Sequence, residues 1–196
     1  GLARRLGIAP GRDVLAVLPG SRRSEAGRLL GVFGETVSLL AKQGQTFDVV
    51  IPTVAHLRET IETASASWAV PVHVVDGGRD GFCAMRLARA ALAASGTVTL
   101  ELALAGTPMV IAYKVDSVAA PFLRRLIRGE TVVLANLVLG ENAVPEFLQE
   151  DCTAEKMAPV LGELLGKSTR RDAQAAALAR IPEKLKLAEG LPSEAA

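Results

Sequence analysis

Short apolar runs alternate with helical patterns along the first 113 residues of the chain. The runs are apolar on both faces and cover 13–18, 47–51, 72–75, 91–94 and 109–113. Helical spacing begins near Glu25 and recurs at 54–67, 81–90 and 97–105. Buried strands that alternate with helices indicate a parallel sheet covered on both faces. We therefore predict an α/β fold with a Rossmann-like, doubly wound parallel sheet.

The pattern changes after residue 113. A basic amphipathic helix is predicted at 119–128, a short strand at 131–134, and a loop at 136–150 that contains a brief helix at 145–149. Two longer helices are predicted at 153–166 and 169–187, followed by a polar tail. The chain thus ends in helices that are added to the predicted sheet.

Composition limits the class of protein. The 196 residues are 49% hydrophobic, which is enough for a packed core and excludes disorder as the main state. The 22 Lys and Arg residues nearly balance the 21 Asp and Glu residues, and this net charge of +1 argues against nucleic acid as a partner. Cys83 and Cys152 have the spacing of neither a disulfide framework nor a zinc site, so we expect two reduced, buried thiols in a cytosolic protein.

The loop at 19–25 directly follows the first predicted strand. Gly20 lets the backbone approach an anion, Ser21 can donate a hydrogen bond, and Arg22 can grip phosphate oxygens with its planar fork. Ligands of open parallel sheets bind beyond the carboxyl ends of the strands, where this loop lies. A capped helix start with solvated arginines explains the same residues equally well.

A second loop of small residues follows the run at 91–94. Ser95, Gly96 and Thr97 open a predicted helix, whose N-terminal amides and dipole favour an anion. Glu101 follows Thr97 by four residues and so lies on the same helix face, where its carboxylate can accept hydrogen bonds from a sugar diol. The pairing favours a nucleoside diphosphate, although an acidic residue in the first turns of a helix is the commoner and simpler explanation.

Motifs for other chemistry are missing from the sequence. No G-x-G-x-x-G turn follows a predicted strand, and there is neither a P-loop nor an Asp-x-Asp pair, so we predict no cofactor and no metal. His56 and His73 lie outside both loops, and we interpret them as ordinary surface or core histidines.

Four blocks of residues resemble a known family. They read LPGSRRSE at 18–25, ASGTVTLELALAGTPMV at 94–110, AYKV at 112–115, and NLVLG at 136–140 with VPEFLQ at 144–149. In this order they resemble the carboxy-terminal half of lipid-A-disaccharide synthase, over about residues 5–185. The family usually has proline where this chain has Ala135, which puts the rigidity of that loop in question.

The resemblance implies the donor-binding domain of a GT-B glycosyltransferase, a fold in which two Rossmann-like domains face each other. The family joins UDP-2,3-diacylglucosamine to 2,3-diacylglucosamine 1-phosphate (lipid X), which gives the β-1,6-linked lipid A disaccharide 1-phosphate and UDP. The general base belongs to the amino-terminal domain. On this resemblance, 1–10 is an interdomain segment, 11–152 the UDP-sugar-binding domain, 153–187 the C-terminal helices and 188–196 a polar tail. A start at Gly1, not at Met, agrees with a piece of a longer protein.

The same resemblance assigns roles to single residues. Arg22 has the catalytic role, since it would stabilise the charge that builds on the departing UDP. The predicted UDP-sugar site consists of Gly20, Ser21, Arg22, Ser95, Gly96, Thr97, Glu101, Asn136 and Gln149. The implied location is the cytoplasmic side of a Gram-negative inner membrane, with peripheral attachment, and a homodimer is a further expectation.

The helix predicted at 119–128 suits a membrane surface. Phe122 lies on its apolar side, and Arg124, Arg125 and Arg128 lie on the other, so it can rest in an anionic interface. The same helix can equally cover the sheet with its arginines in water.

Two rival hypotheses remain open on the sequence. One keeps the fold and changes the reaction, to that of a UDP-N-acetylglucosamine epimerase or another UDP-sugar transferase. The other is a non-catalytic module whose helices at 153–187 form an oligomer interface.

Overall fold

The computed structural model of the protein describes residues 1–114 and 131–189. Six of the segments in this part of the chain are strands of one sheet. They are β1 (Asp13–Leu18), β2 (Phe47–Thr53), β3 (Val72–Asp76), β4 (Ala90–Ala94), β5 (Met109–Tyr113) and β6 (Glu146–Leu148). The helices are α1 (Leu2–Leu6), α2 (Arg23–Lys42), α3 (Arg58–Ser65), α4 (Gly77–Leu87), α5 (Val98–Ala105), α6 (Leu134–Leu139), α7 (Ala154–Leu165), α8 (Thr169–Leu178) and α9 (Ile181–Glu189). Short 3₁₀ turns cover Ala55–Leu57 and Gln149–Asp151.

The strands are all parallel and lie in the order β3-β2-β1-β4-β5-β6. The chain winds outward from β1 to β3, returns to the centre at β4, and winds the other way to β6. This is the strand order of a Rossmann fold, with helices on both faces. The predicted doubly wound parallel sheet is therefore confirmed.

Each face of the sheet is covered by its own set of helices. Leu15 and Val17 of β1 pack on one side, while Val14 and Ala16 pack on the other, as the two-residue period of a strand requires. The first side is covered by α2, α3 and α7, and the second by α4, α5, α6, α8 and α9. Because both faces are buried, the central strands β1, β4 and β5 are almost wholly apolar and their register is strongly specified.

The structure corrects the prediction after residue 130. Residues 131–133 are irregular and α6 begins at Leu134, where a strand was predicted. The predicted brief helix at 145–149 is replaced by β6, in which Phe147 pairs with Ala112 of β5. Periodicity cannot distinguish a short apolar helix from a short apolar strand. At Glu146–Leu148, pairing with the edge of β5 decides for a strand.

Two further predictions need correction. The predicted helix at 169–187 is two helices, because Pro182 has no N–H to continue α8 and its ring clashes with the preceding turn. Cys152 is buried, and burial raises the pKa of its thiol, but Cys83 is exposed on the outer face of α4.

The predicted membrane-facing residues Phe122, Arg124, Arg125 and Arg128 lie outside the described residues. Among the described helices, none has both the length and the apolar character needed to cross a bilayer.

Candidate functional site

The candidate site lies where the winding of the sheet reverses. In register, Leu18 of β1 lies opposite Ala93 of β4, so the loops after these strands leave the same edge side by side. A cleft of about 510 Å³ opens between them. Seven of the predicted site residues line it: Gly20, Ser21, Arg22, Ser95, Gly96, Thr97 and Glu101.

In the first loop, an ion pair orients an exposed arginine. Arg22 stands at the N-cap of α2, and its Nη1 donates to Oε1 of Glu25 over 2.6 Å. Gly20 has a φ of +104°, a conformation that side chains disfavour. A Cβ on Gly20 would lie 2.6 Å from Oε2 of Glu25, so the loop and this carboxylate are in close contact. Glu25 was not among the predicted site residues, although a glutamate three residues after the N-cap position is a usable signal.

The second loop is fixed by its own side chains. The Ser95 hydroxyl donates to the carbonyl of Val132 over 3.0 Å, which ties the loop to the segment before α6. Thr97 is the N-cap of α5, and Thr99 donates to the carbonyl of Gly96 over 2.9 Å. The first amides of α5 therefore stand at the cleft in the way that favours an anion.

Glu101 stands in the first turn of α5 and is exposed. It lines the same cleft as Arg22, which belongs to the other loop. The guanidinium of Arg22, at the start of α2, and the carboxylate of Glu101, on α5, therefore line the same cleft. Such an arrangement can hold a ligand that has both an anionic part and a hydroxylated part.

The cleft continues between β2 and α4. Its far end is lined by Pro52, Thr53, Val54, Gly77 and Met85. A Cβ on Gly77 would lie 3.1 Å from the carbonyl oxygen of Thr53, so a glycine here keeps α4 close to β2. In the described part of the chain, the Thr53 hydroxyl is the buried side-chain group that has no hydrogen-bond partner. Sequence patterns gave no sign of this extension, because it depends on the packing of α4 on the sheet.

Two predicted site residues do not line this cleft. Asn136 is 1% exposed, and its amide bonds both the N–H and the carbonyl of Val144, at 2.8 and 2.9 Å. Gln149 follows β6 at the carboxyl edge of the sheet and has a φ of +49°. A donor-site role for these two residues stays a prediction.

Neither histidine lines the cleft, and His73 has a structural partner. Asp48 accepts hydrogen bonds from Nε of Arg12, at 2.8 Å, and from Nε2 of His73, at 3.0 Å. All three residues lie at the amino edge of the sheet, opposite the cleft. Burial alone would raise the pKa of Asp48, but the bonds from His73 and Arg12 outweigh burial and hold the pKa below its usual value.

Comparison with known proteins identifies the family. The family model described as lipid-A-disaccharide synthetase matches residues 2–194. The chain belongs to the lipid-A-disaccharide synthase family. This confirms the resemblance carried by the four sequence blocks. It favours a lipid-A-disaccharide synthase over the two rival hypotheses, another UDP-sugar enzyme and a non-catalytic module.

Individual relatives of the family support this assignment. The lipid-A-disaccharide synthase of Bradyrhizobium diazoefficiens is 50% identical over 180 residues, which are 92% of this chain and 46% of that protein. The one from Rhodopseudomonas palustris strain CGA009 is 48% identical over 191 residues, or 97% of this chain and 48% of that protein. The chain thus spans about half the length of the curated relatives it matches.

The fold is also shared with a solved structure. WaaG, described as a glycosyltransferase involved in lipopolysaccharide biosynthesis, superposes with a TM-score of 0.58 at 19% sequence identity. The match covers 97% of this chain and 50% of WaaG. At this identity the likeness concerns the fold, which is that of GT-B glycosyltransferases.

Proposed function

We propose that this chain is the donor-binding half of a lipid-A-disaccharide synthase. In this proposal it binds the UDP part of UDP-2,3-diacylglucosamine in the cleft between the two loops. The observation that carries the proposal is the meeting of Arg22, the N-terminus of α5 and Glu101 around one cleft. A diphosphate needs the first two groups, and a ribose diol needs the third.

Each part of the cleft has its own task in the proposal. Arg22, Ser21 and the amides at Gly96 and Thr97 hold the diphosphate, and Gly20 lets the backbone approach it. Ser95 keeps the second loop in place through its bond to Val132. Glu101 accepts hydrogen bonds from the ribose hydroxyls. The uracil ring of UDP lies at the far end of the cleft, against Val54, Gly77 and Met85.

The chemistry follows from where charge develops. Glycosyl transfer builds negative charge on the departing UDP, and fixed donors at the diphosphate stabilise that charge in the transition state. Arg22 and the α5 N-terminus supply such donors. The acceptor hydroxyl of lipid X must lose its proton to a general base. We place that base in the amino-terminal domain, which the proposal adds to this chain as a partner.

Further parts of the proposal concern context. Both substrates carry acyl chains, so we place the reaction at the cytoplasmic face of the inner membrane, with peripheral attachment to anionic lipid. Asn136 supports the site from behind, because its amide also donates to Thr131, next to the Val132 that holds Ser95. A contact of Gln149 with the donor, and a homodimer, stay predictions.

A calorimetric titration with UDP tests the donor site. The folded chain should release or absorb heat on binding, and Arg22→Ala or Glu101→Ala should each weaken the affinity about five-fold or more. Arg23→Ala is the matched control, since Arg23 is the exposed neighbour of Arg22 and does not line the cleft. A sample with the circular dichroism of a folded α/β protein and no heat with UDP would overturn the proposal.

A further inference from the structure

The cleft contains a carboxylate that a diphosphate site does not require. Glu25 stands in the first turn of α2 and lines the cleft together with Arg22. Its negative charge lies beside the place proposed for an anion, and like charges repel. The presence of this side chain in the cleft therefore needs a compensating role.

The contact with Arg22 supplies that role. The two side chains differ in exposure, with 77% for Arg22 and 24% for Glu25, so the buried partner anchors the exposed one. Their ion pair joins Nη1 to Oε1 over 2.6 Å. An arginine side chain has many rotamers, and ordering it in advance lowers the entropy lost when a ligand binds.

Gly20 fixes Glu25 from the other side. A Cβ on Gly20 would lie 2.6 Å from Oε2 of Glu25 and 2.9 Å from its Cβ, so any side chain at this position would displace the carboxylate. Glu25 thus lies between the backbone of the loop and the guanidinium. Gly20, Arg22 and Glu25 form one unit, which we name the arginine clamp.

We infer that Glu25 is a positioning residue for Arg22 in donor binding. Its carboxylate takes Nη1 and leaves the Nε and Nη2 hydrogens for two oxygens of the diphosphate, in the parallel geometry that guanidinium groups favour. The inference rests on the proposed function, because it assumes that Arg22 grips the diphosphate.

A double-mutant cycle tests the arginine clamp. UDP affinity is measured by calorimetry for Glu25→Ala, Glu25→Gln, Arg22→Ala and the Arg22→Ala/Glu25→Ala double variant. We expect Glu25→Ala to weaken binding about five-fold and Glu25→Gln less than about two-fold, since the amide oxygen accepts the same hydrogen bond. In the Arg22→Ala background, Glu25→Ala should no longer weaken UDP binding, because Glu25 helps binding only through Arg22 and its own charge repels the diphosphate.

Glu35→Ala is the matched control. It removes an exposed carboxylate from the same helix at a position away from this cleft, and UDP affinity should stay at the wild-type value. Thermal unfolding of every variant shows that it is folded. Tighter UDP binding by Glu25→Ala would overturn the inference, because repulsion would then be the main effect. So would an equal loss in both backgrounds, which would mean a role in the fold alone.

The cycle separates this inference from the proposed function. If the wild-type chain binds no UDP, the proposed function fails and the arginine clamp fails with it. If Arg22→Ala weakens binding while Glu25→Ala matches the wild type, the donor site stands and the positioning role of Glu25 is wrong.

Discussion

Leu18 at the end of β1 lies opposite Ala93 of β4, although the two residues are far apart in the chain. The pairing brings together two loops whose sequences have separate chemistry, one with Arg22 and one with Glu101. Strand order decides this, since the chain returns from the edge strand β3 past β2 and β1 before β4 pairs with β1. Binding of a ligand that spans both loops therefore depends on the pairing of β1 with β4 as well as on the residues of each loop.

Replacing Gly20 with alanine should affect both the fold and the site. The side chain must adopt a φ of +104° and displace Glu25, so we expect a loss of stability of about 2–3 kcal/mol and UDP affinity at least about ten-fold weaker. Urea denaturation and calorimetry measure the two effects.

Gly44→Ala is the control for Gly20→Ala. Gly44 has a φ of +84°, and a Cβ at this position would meet nothing within 4 Å, so the variant should lose about 1 kcal/mol through strain alone and bind UDP normally. Wild-type UDP affinity in a folded Gly20→Ala variant would contradict the close packing of Gly20 on Glu25.

Asn136→Ala should lower stability more than it lowers UDP affinity. The change leaves the N–H and carbonyl of buried Val144 without their partners, so we expect a loss of about 2–3 kcal/mol in urea denaturation. The folded variant should bind UDP within about three-fold of the wild type, because Asn136 supports the site only indirectly. A much larger loss of affinity at unchanged stability would point to a direct contact with the donor.

The local part of the site could be predicted from sequence. Arg22 and Thr97 stand at the starts of helices that directly follow buried strands, and a strand, a turn and a helix are neighbours in the chain. The pattern of apolar runs therefore places both loops at one edge of a parallel sheet. The same argument finds Glu101, because the helical period puts it on the face of Thr97.

The rest of the site depends on contacts between distant segments. The bond from Ser95 to Val132 joins two segments that are 37 residues apart in the chain, and no periodicity indicates it. The far end of the cleft exists because Gly77 packs on Thr53. β6 forms because it can pair with the free edge of β5. This pairing is not visible in the local sequence, so the pattern of residues 145–149 predicted a helix.

Two glycines on α2 should respond to alanine in opposite directions. A Cβ on Gly31 meets nothing within 4 Å, and alanine is the better helix former, so Gly31→Ala should raise stability by about 0.5–1 kcal/mol. A Cβ on Gly34 would lie 2.5 Å from Nε1 of Trp68, so Gly34→Ala should lower stability by about 1–3 kcal/mol.

Tryptophan fluorescence distinguishes the two glycine variants independently of stability. Trp68 is the single tryptophan of the chain, so its emission reports directly on any shift of the indole. We expect a changed emission maximum in folded Gly34→Ala and an unchanged one in Gly31→Ala. A stabilised Gly34→Ala variant with wild-type emission would contradict the packing of Trp68 on α2.

The ion pair of Asp48 with Arg12 and its hydrogen bond with His73 should make the stability of the fold depend on acid pH. The pKa of Asp48 is lower in the folded chain than the value of about 3.9 for an unfolded aspartate, so the unfolded state takes up a proton first as the pH falls. The stabilisation is complete above about pH 4 and is lost as the pH falls through the folded-state value. At pH 7 we expect Asp48→Asn to lower stability by about 2 kcal/mol, since Arg12 and His73 lose a charged partner.

The pH series separates the charge of Asp48 from its shape. Urea denaturation of wild type and Asp48→Asn at pH 7, 5 and 3 should give a stability difference that is largest at pH 7 and 5 and smaller at pH 3, because the protonated wild type no longer has the charge that asparagine lacks. Glu59→Gln, at an exposed position on α3, is the control and should differ from wild type by less than about 0.5 kcal/mol throughout. A difference that stays constant down to pH 3 would show that packing, and not the ion pairs, makes Asp48 stabilising.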